Sequence, residues 1–137
     1  MRRIMVAVSF LVVPGLLFLL NGSSRAGDKN TVSFKADVFP VIEKYCLPCH
    51  AEENFNPSEL SMDNYDLIME GGQRGSPIVK GDAKKSLLIM KLGPEPPEGD
   101  RMPLNSKKKI KEGKAVWMDE AEVEILSAWI DQGAKKN

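Results

Sequence analysis

The chain is poor in the residues that most often carry protein chemistry. Its 137 residues include only two cysteines and one histidine. One histidine beside a single pair of cysteines offers no second cluster of ligands, so we expect no zinc site. No internal repeat is present, and no segment shows the sustained alternation of apolar and polar residues that is typical of strands. These absences favour one α-helical domain.

The chain also lacks an excess of charge of either sign. Its 19 basic and 19 acidic side chains cancel, and loss of residues 1–26 would leave 16 basic against 19 acidic. A mild acidic excess argues against a nucleic-acid partner, since such proteins carry clustered positive charge. Residues 106–114 form a local exception, with five lysines and one acid. They are either a docking patch for an acidic redox partner or, as we favour, a solvated excursion.

Residues 1–26 have the layout of a secretory signal peptide. Two arginines precede an apolar run from Ile4 to Leu20, and Ser24-Arg25-Ala26 offers a cleavage site. The alternative is an uncleaved anchor, but the run is short for a span of about 20 residues and Pro14-Gly15 interrupts it. We predict an exported protein of the periplasm or an equivalent extracytoplasmic compartment, bound to the membrane only if this segment is retained.

Both cysteines lie in Cys46-Leu47-Pro48-Cys49-His50, the C-x-x-C-H pattern of c-type haem attachment. The two thiols add across the vinyl groups of haem, and the turn of chain between them matches the vinyl separation. His50 follows directly, which places its imidazole under the iron as the proximal ligand. A thioredoxin-type dithiol needs a βαβ context that is missing here, and a disulfide would leave His50 without a role. The motif predicts one covalently attached haem.

The distal iron ligand is expected to be a methionine, because no second histidine exists. The candidates after the N-terminal segment are Met62, Met69, Met90, Met102 and Met118. Met102 lies in the proline-rich stretch from Gly93 to Pro103, which cannot be helical and is suited to hold a sulfur against iron. Met62 is close to the attachment motif, and the methionines in helical patterns fit a core. We favour Met102, with Met118 and Met90 as alternatives and an open or water-bound site as the last.

Four short helices are predicted from apolar spacing and capping residues. They are a helix capped by Asp37 that starts at Val38, a helix within Leu60–Glu70, a helix capped by Asp82 from Ala83 to about Lys91, and a helix over Asp119–Gln132 with a capping box of Asp119 and Glu122. The last helix turns Val123, Leu126, Trp129 and Ile130 inward.

Two further residues are candidates for contact with haem propionates. Arg74 lies in the glycine-rich segment from Gly71 to Pro77, which lacks the ending and the preceding strand of a phosphate loop. We expect a tight loop against the haem, where Arg74 either pairs with a propionate or is an ordinary surface arginine. Trp129 either donates to a propionate or, more commonly for such a residue, packs in the core.

With these residues in place, the chain resembles a class I cytochrome c, specifically the planctomycete-type cytochrome c domain, from Phe34 to Ala134. The resemblance rests on the attachment motif and on a series of short segments in matching order, which are Asp37–Ile42, Leu60–Asp63, Gly71–Gly75, Val79–Asp82, Ser86–Leu88, Arg101–Pro103 and Trp129–Ala134. It implies an all-α fold of about four short helices around one covalent haem, with crossing terminal helices and Met102 as distal ligand. Residues 27–33 would be a flexible segment, 34–134 the domain and 135–137 a tail.

This resemblance implies a carrier of single electrons and not an enzyme. The partners would be redox proteins, or the chain would be a subunit of a larger redox complex. Two alternatives keep an open or displaceable sixth iron position. One is a haem enzyme that acts on peroxide or a small nitrogen compound, and the other is a gas-binding sensor in which the ligand displaces Met102.

Overall fold

The computed structural model describes residues 31–137, so the predicted signal peptide lies outside the described residues. Within this range the chain is built of helices and loops, with one isolated antiparallel bridge between Gly72 and Gly75 and no strand. The prediction of an all-α fold is confirmed for this part of the chain. No helix between residues 31 and 137 has the length and apolarity needed to cross a membrane.

The described residues contain six α-helices, which is more than the four we expected. In chain order the elements are a π-helical turn Phe34–Val38, α1 Phe39–Tyr45, α2 Leu47–His50, α3 Tyr65–Glu70, a 3-10 turn Ala83–Lys85, α4 Leu87–Leu92, α5 Lys107–Lys111 and α6 Glu120–Asp131. The two unexpected helices are α2, which holds most of the attachment motif, and α5, which lies in the lysine-rich stretch.

The first helical segment starts earlier than the sequence predicts. Its N-cap is Ser33, whose hydroxyl accepts the N–H of Ala36 at 3.2 Å. Asp37 lies inside the π-helical turn and reaches back, so that its carboxylate accepts the N–H of Ser33 at 2.8 Å. The prediction of Asp37 as the N-cap was therefore wrong, because Ser33 and Asp37 cap the turn reciprocally. Pro40 does fall in the first turn of α1, where no donor is lost.

The helix predicted from Ala83 to about Lys91 is divided in two at Ser86. Asp82 caps only the 3-10 turn, where its carboxylate accepts the N–H of Lys85 at 3.1 Å. Ser86 is fully buried, and its hydroxyl accepts the N–H of Val79 at 2.8 Å and donates to the Asp82 carbonyl at 2.9 Å. These bonds hold Ser86 in an extended conformation. The single predicted helix is therefore a 3-10 turn, Ala83–Lys85, followed by the separate helix α4.

The core is centred on the inner face of α6. Its N-terminus carries the predicted capping box of Asp119 and Glu122, and Leu126, Trp129 and Ile130 are fully buried. The Trp129 ring lies 5.4 Å from that of Phe34 and 6.3 Å from that of Tyr65, measured between centroids. Aromatic contacts of this kind pack the N-terminal turn, α3 and α6 together.

The two ends of the described chain are joined by hydrogen bonds. The main-chain carbonyl of Asn137 accepts the N–H of Lys35 at 3.0 Å, and its side-chain oxygen accepts the N–H of Phe34 at 2.9 Å. The N–H of Val32 donates to the side chain of Gln132 at 2.8 Å. The residues that we expected to form a tail are thus tied to the N-terminal turn.

An ion pair adds a second link between the first and last helices. The Nζ of Lys44 in α1 lies 2.7 Å from a carboxylate oxygen of Glu122 in α6. Desolvation acts to raise the pKa of Glu122, but hydrogen bonds from Lys44, Tyr45 and the Asp119 backbone lower this pKa to about 2. The carboxylate therefore stays charged across the neutral range, and the ion pair links α1 to α6.

Candidate functional site

A large apolar cavity brings most of the predicted site residues together. Its volume is about 890 Å³, within the range of about 300–1,000 Å³ that is common for ligand and cofactor pockets. Its wall includes five leucines, which are Leu60, Leu87, Leu88, Leu92 and Leu104. The wall also includes both cysteines, the single histidine and three methionines, namely Cys46, Cys49, His50, Met62, Met102 and Met118.

The attachment motif is folded into one helical turn at the cavity wall. The N–H groups of Cys49 and His50 donate to the carbonyl of Cys46 at 3.0 Å and 2.8 Å. Cys46 is half-buried and Cys49 is exposed, and burial raises the pKa of the Cys46 thiol to about 12. The turn places Cys46, Cys49 and His50 along the wall of the same cavity.

The imidazole of His50 is oriented by a backbone carbonyl. Its Nδ1 lies 3.1 Å from the carbonyl oxygen of Leu60. A carbonyl can only accept, so Nδ1 carries the proton and donates it. In the neutral imidazole Nε2 is then the unprotonated nitrogen, and its lone pair is available to a metal. A histidine that donates its other ring N–H in this way is typical of a metal ligand with a fixed tautomer.

The Leu60 carbonyl is itself held in place by Asn56. The side-chain oxygen of Asn56 accepts the N–H of Leu60 at 3.2 Å, and its amide donates to the Leu60 carbonyl at 3.3 Å. The N–H of Met62 donates to the His50 carbonyl at 2.8 Å. Sequence analysis missed both Asn56 and Leu60, because the sequence of residues 51–58 predicts only a loop and a main-chain carbonyl has no sequence signal.

Met102 is fixed to the end of α4 through the backbone. Its N–H donates to the carbonyl of Lys91 at 2.8 Å, and the Nε of Arg101 donates to the carbonyl of Leu92 at 2.8 Å. These carbonyls belong to the last turn of α4, where helices lack internal partners. The Arg101 guanidinium also lies 4.1 Å above the ring of Trp117. The Met102–Pro103 peptide bond is cis. The hydrogen bond from Met102 to Lys91 gives Met102 a defined position on the cavity wall.

Two other methionines line this wall, whereas one of the alternatives for the distal ligand does not. Met62 is 1% exposed and Met118 is 8% exposed, and both line the cavity. Met90, one of the alternatives for the distal ligand, does not line it. Met62 lines the cavity, although its short distance from the attachment motif in the sequence argued against it as a ligand. Met102 stays our prediction for the distal ligand, with Met118 as the alternative that the cavity retains.

Arg74 and Trp129 have different positions relative to the cavity. Arg74 lies at its rim, where its guanidinium forms an ion pair with Glu98. Trp129 does not line the cavity, and its indole N–H donates to the carbonyl of Lys135 at 2.9 Å. Because an indole has one donor, the structure favours core packing for Trp129 over a propionate contact.

Gly72 lies where a side chain would press on the loop that orients His50. A Cβ at this position would be 2.2 Å from the Ser58 carbonyl oxygen and 2.8 Å from the N of Leu60. Gly72→Ala should therefore displace residues 58–60 and cost about 1–3 kcal/mol of unfolding free energy, measured by thermal denaturation. Gly93→Ala is the matched control, since its Cβ would meet only the Met90 carbonyl at 3.5 Å. Equal stability of the two variants would contradict this account.

The donor set of the cavity fits a c-type haem. Two thiols on one turn, an imidazole with a free Nε2 and a thioether on the wall are the groups that attach and ligate such a cofactor. A family model described as Planctomycete cytochrome C matches residues 46–103, a range that starts at Cys46 and ends at Pro103. No curated protein and no solved structure matches the chain.

Proposed function

Because a family model described as Planctomycete cytochrome C matches residues 46–103, we propose that this chain is an exported mono-haem carrier of single electrons. The observation that carries the proposal is the convergence of Cys46, Cys49, His50 and Met102 on one apolar cavity. We also propose the class I cytochrome c fold, in keeping with the contact between the N-terminal turn and α6. When bound, haem supplies an iron that alternates between ferrous and ferric states.

The residues of the attachment turn hold and orient the cofactor. Cys46 and Cys49 provide the sulfur atoms of two thioether bonds. His50 offers Nε2 as the proximal ligand, and its hydrogen bond to the Leu60 carbonyl at 3.1 Å keeps the ring from turning. Met102 offers its sulfur as the distal ligand from a loop tied to α4 by the bond to Lys91. Two fixed ligands suit electron transfer, because neither has to leave.

The remaining wall residues exclude water from the iron. Met62 and Met118 are buried, and Leu88 and Leu92 cover a further part of the cavity. A low-dielectric surrounding disfavours the additional charge of the ferric state and raises the reduction potential, as methionine ligation also does. The walls thus favour a potential above that of a bis-histidine haem.

The rim of the cavity provides polar contacts and a route for electrons. Arg74 and Lys91 lie at the rim and supply positive charge toward the propionates. Arg74 is already paired with Glu98, and the Nζ of Lys91 donates to the Glu98 carbonyl at 2.7 Å. The Arg74 guanidinium has five donors, so donors not bound to Glu98 remain for a propionate. Leu104 is exposed while lining the cavity, so a partner can approach the cofactor edge there.

Visible spectroscopy of the purified, matured protein tests the proposal. We expect low-spin spectra in both oxidation states, an iron–methionine charge-transfer band that excess cyanide leaves in place, and a redox titration that fits one electron. Mass spectrometry should find one haem on a chain that starts after Ala26. A colourless protein, or pigment that acidified organic solvent removes, would refute covalent attachment. A high-spin ferric spectrum or ready CO binding would instead favour the haem enzyme or the gas sensor.

A further inference from the structure

The excursion between Leu104 and Met118 starts and ends at the cavity wall. Leu104 precedes it and Met118 follows it, and both line the cavity. The side chain of Asn105 closes its base, since its amide donates to the Val116 carbonyl at 2.9 Å and its oxygen accepts the N–H of Val116 at 3.0 Å. The excursion is therefore a fixed part of the cavity mouth.

The excursion presents positive charge on an otherwise acidic domain. Residues 31–137 contain 15 basic and 18 acidic side chains, and outside residues 106–114 the balance is 10 against 17. Glu112 pairs with Lys114 at 3.0 Å and lies 4.0 Å from Lys108. Lys107, Lys109 and Lys111 form no ion pair with any other residue between 31 and 137. Their charge is available to a partner.

Exposed apolar side chains accompany these lysines. Leu104 is 63% exposed, Ile110 51% and Val116 60%. The bonds of Asn105 bring Leu104 and Val116 to the same base of the excursion, and Ile110 lies in α5 between the lysines. No residue of α5 is buried, so the helix contributes nothing to the core. A helix that the core does not need, with apolar and basic side chains both exposed, is typical of an interaction surface.

We propose that Leu104, Ile110 and Val116, with the lysines at 107, 109 and 111, form a docking surface for a protein with acidic side chains around an apolar patch. We call it the lysine surface. Charge complementarity selects this occupant, because the rest of residues 31–137 has an excess of acidic side chains, which disfavours binding of an acidic partner elsewhere. That the partner exchanges electrons rests on the proposed function, but the docking itself does not. This proposal departs from the sequence-based preference for a solvated excursion because exposed apolar side chains accompany the lysines.

Binding of two synthetic 20-residue peptides to the isotopically labelled holoprotein tests the proposal. One peptide is polyglutamate and the other has leucines among the glutamates. At low ionic strength we expect amide shifts confined to residues 104–118 and tighter binding of the peptide with leucines. Binding should weaken as salt rises, since exposed charges are screened over about 8–10 Å at physiological salt. The substitution pair Leu104→Ser/Val116→Ser should remove the advantage of the peptide with leucines.

A charge-reversal variant and a matched control separate this surface from general attraction. Lys107→Glu/Lys109→Glu/Lys111→Glu should weaken binding by about tenfold. Lys35→Glu/Lys84→Glu/Lys135→Glu reverses three exposed lysines that do not line the cavity, and it should bind nearly as well as the original protein. An equal loss in both variants, or shifts elsewhere, would overturn the proposal. So would binding to phosphatidylglycerol vesicles through the same lysines without binding to either peptide. Spectra and potentials of both variants are measured separately, so failure of docking and failure of the proposed function are distinguishable.

Discussion

A Cys46→Ala/Cys49→Ala protein is expected to lose its cooperative thermal transition and most of its helical circular dichroism. An enclosed void of about 890 Å³ would cost roughly 20 kcal/mol at about 24 cal/mol per Å³. The whole stability of a domain is only about 5–15 kcal/mol. The cavity opens to solvent, which lowers this cost, but its leucines and methionines would still lose their packing partner. Without covalent haem nothing fills the space between the wall residues, so we expect the wall to collapse.

Addition of free haem provides the control for this variant. The cysteine side chains are small, so their replacement by alanine changes little besides attachment. Haem that binds without thioether bonds should restore part of the helix signal, which would assign the loss to the cofactor and not to the thiols. Native helix content and a sharp transition in the colourless variant would contradict the prediction.

Met102→Ala is expected to convert a low-spin haem to a high-spin one and to lower the reduction potential. Loss of the distal sulfur opens the sixth position to water, cyanide or CO. The potential should fall by on the order of 0.1 V or more, within the span of about 0.8 V that axial ligands set. Because Met102 is only partly buried, the variant should remain folded. Absorption spectra and a redox titration beside the original protein measure both effects.

Met118→Ala and Met90→Ala are the matched controls for the distal ligand. Met118 is buried in the same wall, so its loss should cost about 2–5 kcal/mol of unfolding free energy while the low-spin spectrum stays. Met90 does not line the cavity, and its replacement should leave the spectrum unchanged. A spectrum that changes in Met118→Ala and not in Met102→Ala would assign the sixth position to Met118 instead.

The sequence predicted the elements whose signals are local. The capping box and inward stripe of α6 are where spacing and side-chain chemistry place them, because a helix needs only its own residues to satisfy those rules. The divided helix at Ser86 was not predictable, since it depends on hydrogen bonds from Ser86 to Asp82 and Val79. The lysine-rich α5 escaped prediction because it has no apolar face.

The site was predictable to the extent that its residues carry side-chain chemistry. The attachment motif was recognised from the scarcity of cysteine and histidine, and Met102 was favoured because its proline-rich stretch cannot be helical; both line the cavity. The hydrogen bond from His50 to Leu60 could not be foreseen, because any residue supplies the same carbonyl. The bond of Trp129 to Lys135 likewise depends on where the last residues of the chain lie. Main-chain partners are decided by the tertiary fold.

The hydrogen bonds between residues 32–35 and residues 132–137 affect the order in which the domain can fold. Those segments are separated by about 100 positions, so Phe34 cannot find Trp129 until nearly the whole chain is present. A polypeptide that emerges N-terminus first would keep Cys46 accessible during that interval. Once the ends meet, Cys46 is half-buried, so haem attachment is easier before that step than after it. Closure of the chain ends around an already attached haem also agrees with the loss of fold expected for the variant without cysteines.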